Sequence, residues 1–276
     1  MLGKTLSYHF KRGKLRWIGK PFYNGLVGLQ LERICKKEQN FVFENTSLVN
    51  EKLTAIIKTF ERPETIKRLL ASIYRLYPNI KIIVVDDSRK PEYYKDTQTI
   101  FMPYDSGVSA GRQKALEAVK TPYVLLLDDD FIFYCETELE PVMELMEKEN
   151  EIDIMGGMVV NLPSFKSTDY LDAKLHATST PSIKKEGSEI AGLPVYNKVP
   201  NFYVARTERL KLVGWDKHIK RLDHADFFTR AKGLLITVWN KDFKILHAQT
   251  PFNKIYMDKR NDVKSDQMVL RLKYYM

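Results

Sequence analysis

Three consecutive carboxylates, Asp128, Asp129 and Asp130, follow the apolar run 123–127. Adjacent anions repel one another, and a buried strand leaves them little water, so a cation must compensate their charge. Mg2+ and Mn2+ suit this role because hard divalent ions prefer oxygen ligands and keep positions open for phosphate oxygens. The run therefore predicts a metal site for a nucleotide diphosphate. The alternative is a solvated acidic loop after a strand.

Other polar residues follow the predicted strands or open the predicted helices. In chain order they are Lys58, Thr59, Arg62, Asp86, Asp87 and Arg112. The two carboxylates can accept hydrogen bonds from a uracil or ribose edge, and Asp87 is the predicted nucleotide contact. Arg112 can meet a diphosphate through its charge, while Lys58, Thr59 and Arg62 would line the same pocket. The alternative for this set is helix capping and surface salt bridges.

From residue 52 onward the hydrophobic periodicity predicts alternating strands and helices. The predicted strands are 53–58, 81–85, 99–102 and 123–127, and the predicted helices are 64–76, 108–119 and 138–149. This order is typical of a doubly wound α/β sheet, in which ligands gather at the carboxyl ends of the strands. The polar residues named above all fall at those ends.

The composition, with 44% hydrophobic and 29% charged residues among 276, is that of an ordinary globular protein. We expect three parts: a basic arm over 1–50, an α/β catalytic domain over 51–255 and a helical tail over 256–276. The tail would pack on the arm or on another subunit of a homo-oligomer. Cys35 and Cys135 lack disulfide or zinc spacing, so both are expected to be reduced thiols.

Positive charge is concentrated at the N-terminus, where residues 1–37 hold nine Lys and Arg residues against one acid, Glu32. Aromatic residues are interleaved with these bases: Tyr8, Phe10, Trp17, Phe22 and Tyr23. This mixture favours contact with an anionic membrane surface, and the alternative is a solvated arm that packs its aromatics on the body. Nucleic-acid binding is not expected, because no zinc-finger, RNP or helix-turn-helix pattern accompanies the charge.

Eight landmarks between residues 52 and 250 resemble, in order, those of the GT-A fold glycosyltransferases, specifically the β-1,4-N-acetylgalactosaminyltransferases that build gangliosides. They are Lys58-Thr-Phe-x-Arg62, Val85-Asp-Asp-Ser88, Gly107-x-x-x-Gly-Arg112, Tyr123-Val-Leu-x-x-Asp-Asp-Asp-Phe131, Gly156-Gly157, Asn201-Phe-x-x-Ala-Arg-Thr207, His224-x-x-Phe-Phe228 and His247-Ala248. The resemblance implies a Rossmann-like GT-A fold with a mixed central sheet flanked by helices, a UDP-sugar donor and a glycan or glycolipid acceptor. The animal members carry a membrane anchor that this sequence lacks, so we expect a bacterial or otherwise cytosolic relative, at most peripheral on the inner face of the cell membrane.

The resemblance also implies roles for individual residues. Asp130, His247 and Asp128 would form the site for Mn2+ or Mg2+; Asp130 and His247 would ligate the ion directly, while Asp128 would lie nearer the ribose or a metal-bound water. Asp226 occupies the position of the catalytic base, which implies inversion at the anomeric carbon. Asp223 is the rival base, His224 could orient either carboxylate, and helix capping is the alternative for both acids. Asp129, Gly157 and Asn201 complete the predicted donor pocket.

The stretch 160–196 is irregular, which is typical of a lid or binding loop, and we expect it to shape the acceptor site. Trp215 and Tyr203 are candidate sugar-stacking platforms, with burial in the core as the alternative.

Three functions compete. The first is a metal-dependent inverting glycosyltransferase of surface polysaccharide or lipooligosaccharide synthesis. The second, a nucleotidyltransferase, usually has a glycine-rich phosphate loop after its first strand, where this chain has Lys58-Thr-Phe-Glu-Arg-Pro63. The third, a non-catalytic membrane or nucleic-acid binding protein, would leave Asp128, Asp130, Asp226 and His247 without a purpose. We favour the first.

Overall fold

The computed structural model describes residues 16–276, so Tyr8 and Phe10 of the predicted basic arm lie outside the described residues. In chain order the elements are α1 (Arg16–Lys37), α2 (Ser47–Lys52), β1 (Leu53–Thr59), α3 (Pro63–Leu76), β2 (Lys81–Asp86), β3 (Gln98–Phe101), α4 (Val108–Ala118), β4 (Tyr123–Asp128), β5 (Phe131–Ile132), α5 (Glu140–Lys148), β6 (Ile154–Asn161), β7 (Glu189–Ile190), β8 (Leu193–Pro194), β9 (Tyr203–Arg206), α6 (Thr207–Val213), α7 (Asp223–Ala231), β10 (Thr237–His247), α8 (Lys254–Arg260) and α9 (Lys264–Tyr274). The seven strands and helices predicted between residues 53 and 149 are all present.

The central sheet has eight strands in the order β3-β2-β1-β4-β9-β6-β10-β5. β9 runs antiparallel to both of its neighbours and β5 runs antiparallel to β10, while the other paired strands are parallel. The sheet is therefore mixed, as expected. The parallel strands bring their carboxyl ends to one edge, and there the register pairs Lys58 with Asp128 and Thr59 with Asp86.

Alternating side chains of the strands enter two cores, one on each face of the sheet. Ile57 of β1 and Leu125 of β4 pack with α3 and α5, whereas Ile56 and Leu126 pack with α4 and α7. Strands buried on both faces read as continuous apolar runs, which explains why β1, β2 and β4 were recognisable from sequence. The same burial makes the sheet edge a rigid support for the polar residues that follow it.

The structure corrects the prediction that Tyr203 and Trp215 are sugar-stacking platforms. Both side chains are buried in the core on the α7 face of the sheet, where each stacks on Phe227. Large aromatic rings gain more free energy from burial there than from contact with solvent, and neither ring is available to a sugar.

The C-terminal tail packs on the body of the protein. Asp266 of α9 is fully buried and accepts hydrogen bonds from the backbone N–H groups of Lys220, Arg221 and Leu222, at 3.0, 2.6 and 2.9 Å. These three residues lead directly into α7. Lys273 and Tyr274 of the same helix reach Asp226 of α7. Packing of the tail on the basic arm or on another subunit stays a prediction.

Residues 162–188 connect β6 to the β7–β8 hairpin without a helix or strand, in agreement with the predicted irregular segment. Its role at an acceptor site stays a prediction. Within residues 16–276, no helix combines the length and the hydrophobicity that crossing a bilayer requires.

Gly157 provides a test of packing inside the sheet. A Cβ atom at this position would lie 2.5 Å from Cε1 of Phe202 and 2.6 Å from the carbonyl oxygen of Phe243. We expect Gly157→Ala to lower the free energy of unfolding by ~1–3 kcal/mol, because the added methyl group would have to displace the Phe202 ring and the backbone of β10 at Phe243.

Urea unfolding would measure this loss, with Gly28→Ala as the control. A Cβ at Gly28 of α1 meets no atom within 4 Å. The free energy of unfolding of that variant should therefore be unchanged or higher by ~0.5–1 kcal/mol. Equal stability of the two variants would contradict the packing role assigned to Gly157.

Candidate active site

A pocket opens at the carboxyl edge of the parallel strands, and most of the predicted site residues line it. From the predicted set, the lining contains Lys58, Arg62, Arg112, Asp128, Asp129, Asp130, Asn201 and His247. It also contains Phe60, Asp105, Gly107, Val108, Arg221, Asp223, Tyr256, Lys259 and Arg260, most of which were not predicted. The pocket thus combines carboxylates from one strand end with bases from several other elements.

Arg62 neutralises two of the three consecutive carboxylates. Its Nη1 donates to Oδ2 of Asp130 at 2.9 Å, and its Nη2 donates to Oδ1 of Asp129. Thr59 donates its hydroxyl to the other oxygen of Asp129 at 2.7 Å, so this carboxylate is held from both sides. The Arg62 guanidinium also lies 3.6 Å from the centroid of the Tyr256 ring, a cation–π contact across the pocket.

The two buried carboxylates differ in electrostatic character. Burial raises the pKa of Asp129 to about 6, against the opposing charge of Arg62. Burial opposes ionisation of Asp130 as well, but Arg62 and His247 together hold the pKa of Asp130 well below its usual range. Asp130 is therefore the firmly ionised member of the pair, which is the state that a metal ligand requires.

Arg112 links the third carboxylate of the run to α7. Its Nη2 lies 2.5 Å from Oδ1 of Asp128, and its Nη1 lies 2.7 Å from Oδ2 of Asp223. The Asp128 side chain keeps 33% of its surface exposed, so it is the member of the run that is most open to a ligand. Burial raises the pKa of Asp223, although Arg112 partly offsets this effect.

Asp87 does not line the pocket but supports two residues that do. Its Oδ1 lies 2.5 Å from Nζ of Lys58, and its Oδ2 accepts the backbone N–H of Gly107 at 2.9 Å. Gly107 has φ 103°, a conformation that favours glycine. The hydrogen bond that its backbone N–H donates to Asp87 helps to hold the loop into α4 in this conformation. Thr59 likewise lies behind the pocket and acts through Asp129.

His247 ends β10 beside Asp130. Its Nε2 lies 3.2 Å from Oδ1 of Asp130, while its Nδ1 lies 2.9 Å from Oδ1 of Asn161. The amide oxygen can only accept, so Nδ1 donates to it, and Nε2 of a neutral imidazole would turn its lone pair toward a carboxylate oxygen. Burial disfavours the imidazolium, but the neighbouring Asp130 raises the pKa of His247 above its ordinary value, which favours a proton on Nε2. Two facing acceptors need a proton or a cation between them, and an imidazole nitrogen with a carboxylate oxygen is a donor set that fits a divalent metal.

The three predicted metal ligands do not form one cluster. Among residues 16–276, no group of three or more His, Cys, Asp and Glu side chains is arranged to hold an ion, and Asp128 is paired with Arg112. Asp130 and His247 are the two predicted ligands whose side chains lie together, so a divalent ion there would need phosphate and water for its remaining ligands.

The structure does not bring Asp226 into this pocket. Asp226 is buried beneath α9, where its Oδ1 accepts from Lys273 and Tyr274 at 2.7 Å each and its Oδ2 accepts from Arg230 at 2.9 Å. Among the described residues, the hydrogen bonds that hold it come from α7 and α9, which is the arrangement of a structural acid. Its predicted role as the base stays a prediction.

His224 and Gly157 also lie outside the pocket lining. His224 directs Nε2 to the carbonyl oxygen of Val199 at 2.7 Å, and burial lowers the pKa of this imidazole to about 3. It therefore stays neutral and orients neither Asp223 nor Asp226. Gly157 lies within the sheet, where the absence of a side chain lets the Phe202 ring and the Phe243 carbonyl group approach its backbone closely.

Sequence reasoning missed the contribution of α8. Tyr256, Lys259 and Arg260 all face the pocket, and Nη1 of Arg260 donates to the Tyr256 hydroxyl at 2.9 Å. Lys259 lies 3.1 Å from Asp105, which also pairs with Arg221. Asp105 thus forms ion pairs with a base of α8 and a base of the loop before α7. An aromatic residue followed by two bases at i+3 and i+4 was the available signal, because that spacing places all three on one face of a helix.

The comparisons with known proteins agree with this geometry. A model of the family "Glycosyl transferase family 2" matches residues 54–208, which is more than half of the chain. The chain belongs to glycosyl transferase family 2. The match covers β1 to the start of α6, and so includes the acidic run and Arg112.

Relatives of known activity place the chain more finely within the family. It is 36% identical over 208 residues to mouse β-1,4 N-acetylgalactosaminyltransferase 1 and 37% identical over 191 residues to mouse β-1,4 N-acetylgalactosaminyltransferase 2. The predicted resemblance is thus confirmed. The alignments cover 71% and 67% of this chain but only 39% and 37% of those enzymes, so it corresponds to well under half of their length.

Solved structures identify the fold. S. aureus TarS 1–349 in complex with UDP matches with a TM-score of 0.56 at 16% identity, over 82% of this chain and 67% of that one. The complex of the same protein with UDP-GlcNAc matches with a TM-score of 0.55 at 16% identity, over 82% and 68%. The predicted GT-A fold, a mixed sheet flanked by helices, is confirmed.

Arg62 is the residue on which the acidic run of this family 2 domain depends. We expect Arg62→Ala to lower the free energy of unfolding by ~3–5 kcal/mol, because Asp129 and Asp130 would remain buried without their cation. Urea unfolding checks this value. Arg89→Ala, an exposed arginine, should change stability by less than ~0.5 kcal/mol. A loss below ~1 kcal/mol for Arg62→Ala would show that the carboxylates have another partner.

Proposed function

We propose that this protein is a metal-dependent, inverting glycosyltransferase that moves N-acetylgalactosamine or a related hexose from a UDP-sugar to a glycan or glycolipid acceptor. The observation that carries the proposal is the pocket itself, where the strand-end carboxylates and His247 face the bases Arg112, Lys259 and Arg260. Synthesis of surface polysaccharide or lipooligosaccharide at the inner membrane face is the proposed setting.

The donor class is supported by the relatives and by the charges of the pocket. Two relatives are named β-1,4 N-acetylgalactosaminyltransferases, and the structural neighbour TarS is known in complexes with UDP and UDP-GlcNAc. A diphosphate carries negative charge that Arg112, Lys259 and Arg260 can meet with charge-assisted hydrogen bonds. Asp128, the most exposed of the three carboxylates, can accept a hydrogen bond from a ribose hydroxyl at the oxygen that Arg112 does not hold.

Asp130 and His247 would hold Mn2+ or Mg2+, with Asp128 near enough to contribute through a bound water. When bound, such an ion neutralises negative charge on the departing nucleotide. Arg62 keeps the Asp130 carboxylate ionised and fixed, and Asn161 sets the tautomer of His247. These supporting contacts determine the orientation of both ligands before any ion arrives.

Direct displacement also needs a base for the acceptor hydroxyl. The acceptor oxygen would form its bond to the anomeric carbon as the bond to the UDP oxygen breaks, and its proton would pass to a carboxylate. Asp223 is our candidate, because it lines the pocket and burial raises its pKa toward a useful value. A single displacement of this kind inverts the anomeric configuration.

Two other functions explain less of the site. A nucleotidyltransferase is disfavoured because Lys58 at the end of β1 and Arg62 in the loop after it bind carboxylates of this chain through their side chains. A non-catalytic binding protein would not need Asp129 and Asp130 buried at the foot of an open pocket, where their charge costs stability.

Calorimetric titration with UDP, GDP and CDP, with and without Mn2+, tests the donor and the metal together. We expect Mn2+ to strengthen UDP binding, and Asp130→Ala to abolish the Mn2+-dependent part because it removes a charged ligand. Asp258→Ala is the control, since Asp258 is an exposed acid on the same α8 helix as Arg260. A preference for GDP or CDP would overturn the UDP assignment, and no nucleotide binding under any condition would overturn the transferase proposal.

The base is tested by a pair of acids on α7. Asp223→Asn should lower kcat by ~10²–10⁴-fold while UDP affinity stays unchanged, because the amide cannot accept the proton. Asp226→Asn should mainly lower the free energy of unfolding, by ~1.5–3 kcal/mol, because three donors would lose a charged acceptor. Steady-state kinetics with thermal unfolding separates the two effects. The reverse pattern would return the role to Asp226.

A further inference from the structure

The N-terminal helix α1 is attached firmly to the body by one of its faces. Val27 is buried in a cluster with Ile132, Leu246 and Ala248, and Leu31 and Ile34 pack against the same cluster. Tyr23 donates its hydroxyl to the carbonyl oxygen of Leu162 at 3.3 Å, and Gln30 donates to that of Pro163 at 3.0 Å. The residues that make these contacts recur at helical spacing and so lie on one face of α1, which gives the helix a defined orientation on the protein.

A second apolar face of α1 points to solvent; we call it the outer face. It consists of Ile18, Phe22, Leu26 and Leu29, which also recur at helical spacing; Trp17, one residue before Ile18, is exposed at the start of the helix. Trp17, Phe22 and Leu29 expose 75, 65 and 54% of their surface. Single exposed apolar residues are common, but four along one face of this 22-residue helix form a patch that marks an interaction site.

Positive charge surrounds this patch. Arg33, Lys36 and Lys37 follow it on exposed positions of α1, where Lys36 also pairs with Glu32 at 2.8 Å, and Lys20 is exposed on the opposite side of the helix. Within residues 1–37, nine bases oppose one acid, which is a net charge of +8 out of +9 for the whole chain. A partner that meets both features must offer negative charge at its surface and apolar material just below it.

We propose that the outer face of α1 binds an anionic lipid bilayer, with α1 lying in the plane of the interface. Headgroups would meet the bases, while Phe22, Leu26, Leu29 and Trp17 enter the acyl boundary. A second copy of this chain is a poorer occupant, since two outer faces would bring two strongly positive segments together. Because α1 is packed on the residues that flank His247, the bound membrane would lie at a set orientation to the pocket.

Vesicle co-sedimentation of the full chain tests the proposal directly. We expect binding to vesicles with 30% phosphatidylglycerol in phosphatidylcholine, at least ~10-fold weaker binding to pure phosphatidylcholine, and weakening by salt. Leu29→Glu should reduce binding at least ~10-fold, because it places an anion in the acyl boundary. Leu212→Glu, at an exposed leucine on α6, is the matched control and should bind as the parent does.

The depth of α1 gives a second readout. Trp215 is buried and Trp239 is half-buried, so a blue shift of emission on vesicle binding, with quenching by brominated lipids, should come from Trp17 and vanish in Trp17→Phe. Equal vesicle binding of the parent and Leu29→Glu, or no binding to anionic vesicles, would overturn the proposal. Sedimentation velocity showing a dimer that Leu29→Glu dissociates would assign the face to a second copy instead.

This inference does not depend on the proposed transferase activity. The outer face contributes no residue to the pocket lining, so calorimetric UDP titration of Leu29→Glu should match that of the parent. Loss of vesicle binding with UDP binding intact therefore tests the membrane proposal alone. Absence of UDP binding in every variant, with vesicle binding preserved, would count against the donor proposal alone.

Discussion

Everything in this pocket depends on neutralising the three carboxylates that end β4. Two are buried, and leaving even one without a cation would cost several kcal/mol, a large fraction of the stability of a domain. The chain meets this constraint with Arg62 between Asp129 and Asp130, and with Arg112 on Asp128. The arginines do more than balance charge: their fixed forks hold each carboxylate in one direction, so the site is organised before a ligand binds.

The order of strands decides which distant residues can share that site. β1, β2, β4, β6 and β10 run parallel, so residues at their carboxyl ends meet although up to 188 positions separate Arg62 from Thr250, which it contacts. This geometry made much of the pocket predictable from sequence. Apolar runs located the strands, and the polar residues after each run, from Lys58 to His247, had to lie at one edge.

The remaining features of the site were not predictable, because they depend on how distant helices pack over the site residues. Asp223 and Asp226 stand three residues apart on α7, and nothing local distinguishes a pocket acid from a buried one. The difference comes from α9, whose Lys273 and Tyr274 cover Asp226. In the same way, Tyr256 of α8 reaches Arg62 through tertiary packing alone, with no sequence pattern that joins them.

The segment after His247 connects α1 with α8 and with the loop that carries Arg62. Phe252 contacts Tyr23 of α1, and Asn253 both caps α8 and donates to the carbonyl oxygen of Glu61, next to Arg62. A surface bound by α1 is thus joined by continuous packing to the residues that hold the carboxylates. Such continuity fixes orientation rather than transmitting a signal. In the reaction and membrane contact that we propose, a membrane-bound acceptor and a diphosphate donor would reach one carbon from defined directions, and the attachment of α1 beside β10 would supply that geometry.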